Sequence, residues 1–113
     1  MYPKKLSDAL KTKELVIDPH CVEQYKAKVL QFRGKEHWPD EKIRHSLRSY
    51  AFCLQFIRRQ PDRTYLYGIP GQIYFLIQFT NSKVRMVTCY GDDKYLKWFN
   101  KHVRCRNSPK IAI

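Results

Sequence analysis

The most apolar stretch of the chain lies between Gln72 and Cys89 and predicts a β-hairpin. Residues 73–79 read IYFLIQF, with one polar position, as in a strand that is covered on both faces. The polar loop TNSK follows. Residues 84–89 then alternate in character, as in a half-buried antiparallel partner. Because a hairpin cannot bury its own face, other elements must pack on it.

Two amphipathic helices are predicted upstream of this hairpin. The first begins at Asp18, whose carboxylate can cap the free amides, has Pro19 at its first position and ends at Gly34. Its apolar stripe consists of Val22, Tyr25, Val29 and Phe32. Asp40 is expected to cap the second helix. Its buried face consists of Ile43, Leu47 and Tyr50.

Residues 51–59 fit two interpretations. They keep the helical spacing of the preceding segment, but they also fit a strand with one face made of Phe52, Leu54 and Phe56. We favour the strand because the elements that follow need a neighbour in a sheet. A turn at residues 60–62, a strand over residues 63–69 and a turn at Pro70-Gly71 then lead into the hairpin. After it, Asp92-Asp93 opens a last helix.

This order predicts an α+β domain: two N-terminal helices packed on a four-stranded antiparallel meander, followed by a C-terminal helix and a basic tail. A length of 113 residues suits one domain. We expect residues 1–14 and 107–113 to be flexible, with a short amphipathic turn or helix near Leu6, and residues 15–17 to form a brief strand or an extended approach. The sheet face opposite the helices, with its tyrosines and arginines, is expected to meet a ligand.

The chain is strongly basic, with 22 Lys plus Arg against 10 Asp plus Glu and a formal charge of +12. A positive field of this size attracts polyanions. Nucleic acid is the favoured partner, and an acidic protein or an anionic membrane surface is the alternative. The candidate binding residues are Arg58, Arg59, Arg63, Arg85, Lys97, Lys101 and Arg104. For each arginine near a strand, the other interpretation is a solvated edge that discourages pairing between sheets.

The remaining composition argues against metal, cofactor and membrane chemistry. The four cysteines are widely spaced, without a C-x-x-C motif, and are interpreted as free thiols in a reducing compartment. His102-x-x-Cys105 has the spacing of a ligand pair but lacks a second pair. The sequence contains neither a nucleotide-binding loop nor a zincin motif. We expect no metal, no cofactor and no membrane contact. The first thirteen residues contain lysines where a signal peptide has an apolar region. We therefore expect a cytoplasmic protein.

Metal-independent RNA cleavage needs a base for the ribose 2′-hydroxyl, cations for the phosphorane and an acid for the leaving 5′-oxygen. Among the four histidines, His20 is best placed, because free amides in the first turn of its predicted helix also attract phosphate. The alternative is a surface or capping histidine. Tyr90, at a strand end, is the tyrosine expected to stack on a base or carry a proton.

Residues 17–29, IDPHCVEQYKAKV, are similar to the pattern I-S-x-H-A-x-x-R-Y-x-x-R-V. That pattern occurs in small bacterial and phage proteins of the barnase, EndoU, colicin and RelE-like group of ribonucleases. The family has helices first, then a four-stranded antiparallel sheet with a threonine near its end. The resemblance implies family positions for His20, Tyr25, Lys28 and Thr88. Gln24 and Lys28 replace arginines of the pattern, so one charge is lost and the other loses its bidentate fork.

Two functions follow from these observations. The first is a RelE-like endoribonuclease, toxin-like or phage-encoded, which is controlled by an acidic protein inhibitor or by the ribosome. The alternative is a non-catalytic basic module that holds RNA, DNA or a host protein. The match at His20 favours the enzyme, whereas Gln24 and Lys28 favour the module.

Overall fold

The computed structural model describes residues 3–35 and 37–102, with the exception of the side chains of residues 32, 93, 98–100 and 102. Within this part of the chain the helices are α1 (Leu6–Ala9), α2 (Pro19–Tyr25), α3 (Asp40–Ala51) and α4 (Asp93–His102). The strands are β1 (Glu14–Ile17), β2 (Gln55–Gln60), β3 (Thr64–Ile69), β4 (Ile73–Phe79) and β5 (Lys83–Asp92). The predicted α+β class and the central hairpin, β4 with β5, are confirmed.

The described strands form one five-stranded mixed sheet in the order β1-β5-β4-β3-β2. The meander from β2 to β5 is antiparallel, as predicted. The prediction of four strands is corrected by β1, which pairs in parallel with β5 so that Leu15 lies opposite Val84 and Ile17 opposite Met86. Parallel strands need a long connection, and here the chain between β1 and β5 contains α2, α3 and the strands β2, β3 and β4.

The first predicted helix is confirmed at both ends. The Asp18 carboxylate accepts a hydrogen bond from the His20 amide, and Pro19 is the first helical residue. After Tyr25 the helix continues through a π-helical turn (Lys26–Leu30) and a 3₁₀ turn (Gln31–Arg33) to Gly34, which has the left-handed φ of 70°. Glycine adopts this conformation without a Cβ clash, so the chain can turn there.

The second predicted helix, α3, ends at Ala51, and β2 begins at Gln55. The region therefore contains the predicted strand, but the strand starts later than expected: Ala51 belongs to the helix, and Phe52 and Leu54 lie in the connection before β2. The expectation that Asp40 caps this helix is corrected, because Pro39 takes the N-cap position and Asp40 is the first helical residue. Ile43 and Leu47 are fully buried against the sheet.

The N-terminal segment, expected to be flexible, is tied to the start of β2. The Leu6 side chain is fully buried, and its amide donates to the Leu54 carbonyl. The Phe56 amide donates to the Lys4 carbonyl, and the Tyr67 hydroxyl donates to the Pro3 carbonyl. Residues 107–113 lie outside the described residues.

The main core fills the space between the sheet and the helices α1, α2 and α3. Its strand residues include Tyr67, Phe75, Ile77, Val84, Met86 and Cys89. The opposite face of the sheet holds a smaller apolar cluster of Leu66, Tyr74 and the α4 residue Leu96. The expectation of an open second face is thus corrected, because α4 covers part of it.

No helix within residues 3–35 or 37–102 is both long enough and apolar enough to cross a membrane. Cys21, Cys53 and Cys89 are free thiols, as predicted.

Candidate nucleic-acid interface

Beyond Met86, β5 is flanked by a helix in place of a strand. β1 ends at Ile17, opposite Met86, and after Asp18 the chain enters α2, which packs against β5. The helical segment therefore runs beside the C-terminal half of β5.

Three polar side chains recur every four residues along α2 and the π-helical turn that continues it: His20 and Gln24 in α2 and Lys28 in the turn. This spacing places them on one side of the helical segment. The neighbouring positions Cys21, Val22, Tyr25 and Val29 are buried in the core. His20 is exposed, while Gln24 and Lys28 are half-buried. The helix thus presents one titratable and one cationic side chain along β5.

A matching row of side chains comes from β5. Arg85 alternates with the fully buried Val84 and Met86, so it faces away from the core. The register of β5 against β4 skips Val87 and Tyr90. Such bulges redirect side chains, and they accompany the outward placement of Thr88 and Tyr90, which are both half-buried. We call the six residues His20, Gln24, Lys28, Arg85, Thr88 and Tyr90 the seam.

Lys28 joins the two rows directly. Its Nζ atom lies 5.9 Å from the ring centroid of Tyr90 and 5.6 Å from that of Tyr95 on α4. Among the described residues no carboxylate pairs with this ammonium. Burial lowers the pKa of Lys28, because desolvation disfavours its charged form. A lysine of this kind can carry positive charge toward a phosphate and also release a proton.

One end of the seam is held by Asp18. Its Oδ1 accepts from the His20 amide at 2.9 Å, and its Oδ2 accepts from Arg85. Arg85 also approaches the side-chain oxygen of Gln78 at 3.5 Å. The hydrogen bond from the His20 amide, followed by that from Arg85, lowers the pKa of Asp18 below 3.8. A single carboxylate therefore links the start of α2 to the strand row.

The other end is held by Asp92, whose side chain is only 4% exposed. Its Oδ2 accepts from Arg33 Nε at 3.1 Å and Nη2 at 2.7 Å, and its Oδ1 accepts from the Tyr95 amide at 3.0 Å. Gly91, with a φ of 104°, leaves room for the Tyr95 ring, which would lie 2.6 Å from a Cβ at that position. These contacts fix the start of α4 beside Lys28.

Of the predicted catalytic residues, His20, Lys28, Thr88 and Tyr90 belong to the seam, whereas Tyr25 lies in the core. The Tyr25 hydroxyl is 3.2 Å from Ser46 Oγ, and burial raises the pKa of this tyrosine to about 12.

The predicted binding residues are more dispersed. Arg58 lies opposite Leu66 on the seam side of the sheet but at the far edge, and Arg59 lies opposite Tyr65. Arg63 occupies a turn with a φ of 58°. Lys97 and Lys101 are exposed on α4, and Arg104 lies outside the described residues. Arg85 is the only arginine of the predicted set within the seam as defined.

Sequence reasoning did not anticipate the roles of Asp18 and Asp92 beyond helix capping, nor the contact between Tyr95 and Lys28. The four-residue spacing from His20 to Lys28 was the available signal for the helix row. Nothing in the sequence indicates that Tyr95 meets Lys28, because that contact depends on where α4 docks.

The described residues contain no group of three His, Cys, Asp or Glu side chains arranged to hold a metal ion. Comparisons of the chain with protein-family models, with curated proteins and with solved structures find no match. Its function is therefore argued from the geometry of the seam.

Proposed function

We propose that this protein is a small cytoplasmic endoribonuclease of RelE-like type that cuts RNA at the seam without a metal ion. The observation that carries the proposal is the grouping of a histidine, a partly desolvated lysine and two hydroxyl groups beside Arg85 on one surface. Base, acid and cation are the components that this reaction needs. RNA is the substrate, and an acidic protein or the ribosome is the expected controlling partner.

In this mechanism the neutral imidazole of His20 takes the proton of the ribose 2′-hydroxyl as the 2′-oxygen attacks phosphorus. The bond from phosphorus to the 5′-oxygen breaks, and Lys28 donates a proton to that leaving oxygen. The products are a 2′,3′-cyclic phosphate and a 5′-hydroxyl end. Arg85 and Thr88 bind the non-bridging oxygens, and Tyr90 offers a ring for a base.

Incubation of labelled RNA with the purified protein, with and without a chelator, tests the proposal. Cleavage should persist with the chelator and fall by about a hundredfold or more in His20→Ala and in Lys28→Ala. His45→Ala and Lys11→Ala are matched controls, since both side chains are exposed and lie outside the seam. Equal activity in all four variants, or cleavage abolished by the chelator, contradicts the proposal.

The alternative, a non-catalytic RNA-binding module, is favoured by one observation. Arg85 is already paired with Asp18, and Gln24 adds no charge, so the seam offers fewer uncommitted cations than an active site for phosphoryl transfer commonly has. Under this alternative the same experiment gives retarded but intact RNA.

A further inference from the structure

The C-terminal helix presents its lysines on the side opposite to the one that docks. Lys94, Lys97 and Lys101 are exposed, and at 100° per residue they fall within an arc of about 60°. Leu96 is buried and Tyr95 is half-buried, and both project from the opposite side of the helix. We call the three lysines the α4 ridge.

The position of α4 makes the ridge continuous with the seam. We call the carboxylates that hold the two ends of the seam the Asp18 clamp and the Asp92 clamp. The helix starts at the Asp92 clamp, where Tyr95 lies beside Lys28. From there it crosses the sheet so that Leu96 packs with Leu66 of β3 and Tyr74 of β4. The ridge therefore leads away from the seam on the same face of the molecule.

We propose that the α4 ridge binds the sugar–phosphate backbone of the RNA chain whose cleaved bond lies in the seam. This inference rests on the proposed function. Seven residues of helix separate the outer lysines, a rise of about 10 Å, which is close to the rise of about three stacked nucleotides. Lysines act as point charges on phosphates and read no base, so the ridge contributes affinity without sequence preference.

The ridge lysines are tested by the triple variant Lys94→Gln, Lys97→Gln, Lys101→Gln. The matched control is Lys4→Gln, Lys5→Gln, Lys11→Gln, which removes three exposed lysines of the N-terminal segment. The probe is a labelled 2′-O-methyl RNA oligonucleotide, which lacks the attacking hydroxyl and reports binding alone. Thermal melting of both variants verifies that each remains folded.

The slope of log affinity against log salt concentration should decrease in magnitude by about 2 in the ridge variant, because a lysine–phosphate contact on a single strand contributes roughly 0.7. The control should keep the parent slope. If the slope is unchanged in both variants, the α4 ridge does not bind the RNA backbone. Equal decreases in both variants also contradict the proposal, because they would reflect the general positive field of the protein.

Cleavage kinetics separate this inference from the proposed function. The ridge variant should raise KM for RNA by about tenfold or more, with a much smaller effect on kcat, whereas His20→Ala acts on kcat. If RNA is cleaved at the seam but the ridge variant binds RNA as the parent does, only the proposed role of the ridge is wrong. If RNA binding depends on the ridge but no cleavage depends on His20 and Lys28, the proposed reaction is wrong and the proposed RNA-binding surface is retained. Absence of RNA binding by the parent protein overturns both.

Discussion

Tyr25 and Tyr90 show how one residue type takes different roles in this chain. Both lie in segments that the sequence assigns correctly, and tyrosine suits a half-buried position in each. Tyr25 is turned into the core, with its ring 6.2 Å from that of Tyr50. Tyr90 sits at a bulge of β5, beside Lys28. The apolar stripe of its helix indicates that Tyr25 is buried, but nothing in the sequence indicates that Tyr90 lies beside Lys28, because that contact arises from packing between distant segments.

Replacement of Tyr25 by Phe should lower the free energy of unfolding by about 1 kcal/mol, since it removes the buried hydrogen bond to Ser46. RNA cleavage should be retained, because the hydroxyl lies outside the seam. Urea denaturation and the cleavage assay measure the two effects. A stable Tyr25→Phe protein with abolished cleavage would contradict this placement.

Lys28 should make stability depend on pH in the alkaline range. Its pKa is lowered from 10.5 in the folded protein, so the unfolded chain binds more protons between the lowered pKa and 10.5. The parent should therefore gain stability relative to Lys28→Met as the pH rises through that window. Urea denaturation of both proteins from neutral to alkaline pH measures the difference, and a constant or opposite trend argues against a desolvated ammonium.

At the scale of elements, the sequence predicts local features well and their partners less well. The Asp18 cap, the Gly34 terminus and the hairpin follow from residue types over short distances. The pairing of β1 with β5 and the docking of α4 do not. A four-residue strand carries no signal for its partner, and the apolar side of α4 suits either face of the sheet. Four of the residues predicted as catalytic, His20, Lys28, Thr88 and Tyr90, lie in the seam, whereas its two clamps, at Asp18 and Asp92, were not predicted.

Asp18 and Asp92 use the same arrangement at opposite ends of the seam. Each caps a helix with one oxygen and binds an arginine from another element with the other. The clamps hold α2 to β5 and the start of α4 to the 3₁₀ turn. The seam thus depends on two carboxylates in a chain that is rich in cations.

Loss of the Asp92 clamp should destabilise the fold. In Arg33→Ala the Asp92 carboxylate stays buried without its ion pair, which should lower the free energy of unfolding by about 2–3 kcal/mol. This loss is smaller than for a fully buried pair, because the arginine is half-exposed. Lys11→Ala, from the exposed pair with Asp8, should change stability by less than about 0.5 kcal/mol. Chemical denaturation compares them, and similar losses in both variants contradict the clamp.

The Asp18 clamp should fail in acid. Its folded pKa lies below 3.8, so the stability it contributes is present at neutral pH and is lost as the pH falls below that value. Parent and Asp18→Asn should therefore differ in unfolding free energy at neutral pH and converge as the pH falls through the lowered pKa of Asp18, because the carboxylate is then protonated in both states of the parent. A difference that persists in acid would show that the pair with Arg85 contributes nothing.

Across the whole molecule, positive charge alone does not locate the functional surface. Exposed basic side chains occur at the N-terminus, as Lys11, on α3, as Arg48, and at the sheet edge, as Arg59. The seam differs from these positions because a histidine, a desolvated lysine, two hydroxyl groups and an arginine bound by Asp18 lie along one helical segment and the strand beside it, and the α4 ridge begins next to Lys28. The sequence predicts the net charge, but only the fold separates this face from the rest.

The most direct test is a titration of isotopically labelled protein with 2′-O-methyl RNA, followed by NMR chemical shifts of assigned backbone amides. The largest changes should map to residues 20–28 and 85–90, with further changes along α4. Changes confined to the outer face of α3 or to the N-terminal segment, with the seam unmoved, would contradict the account.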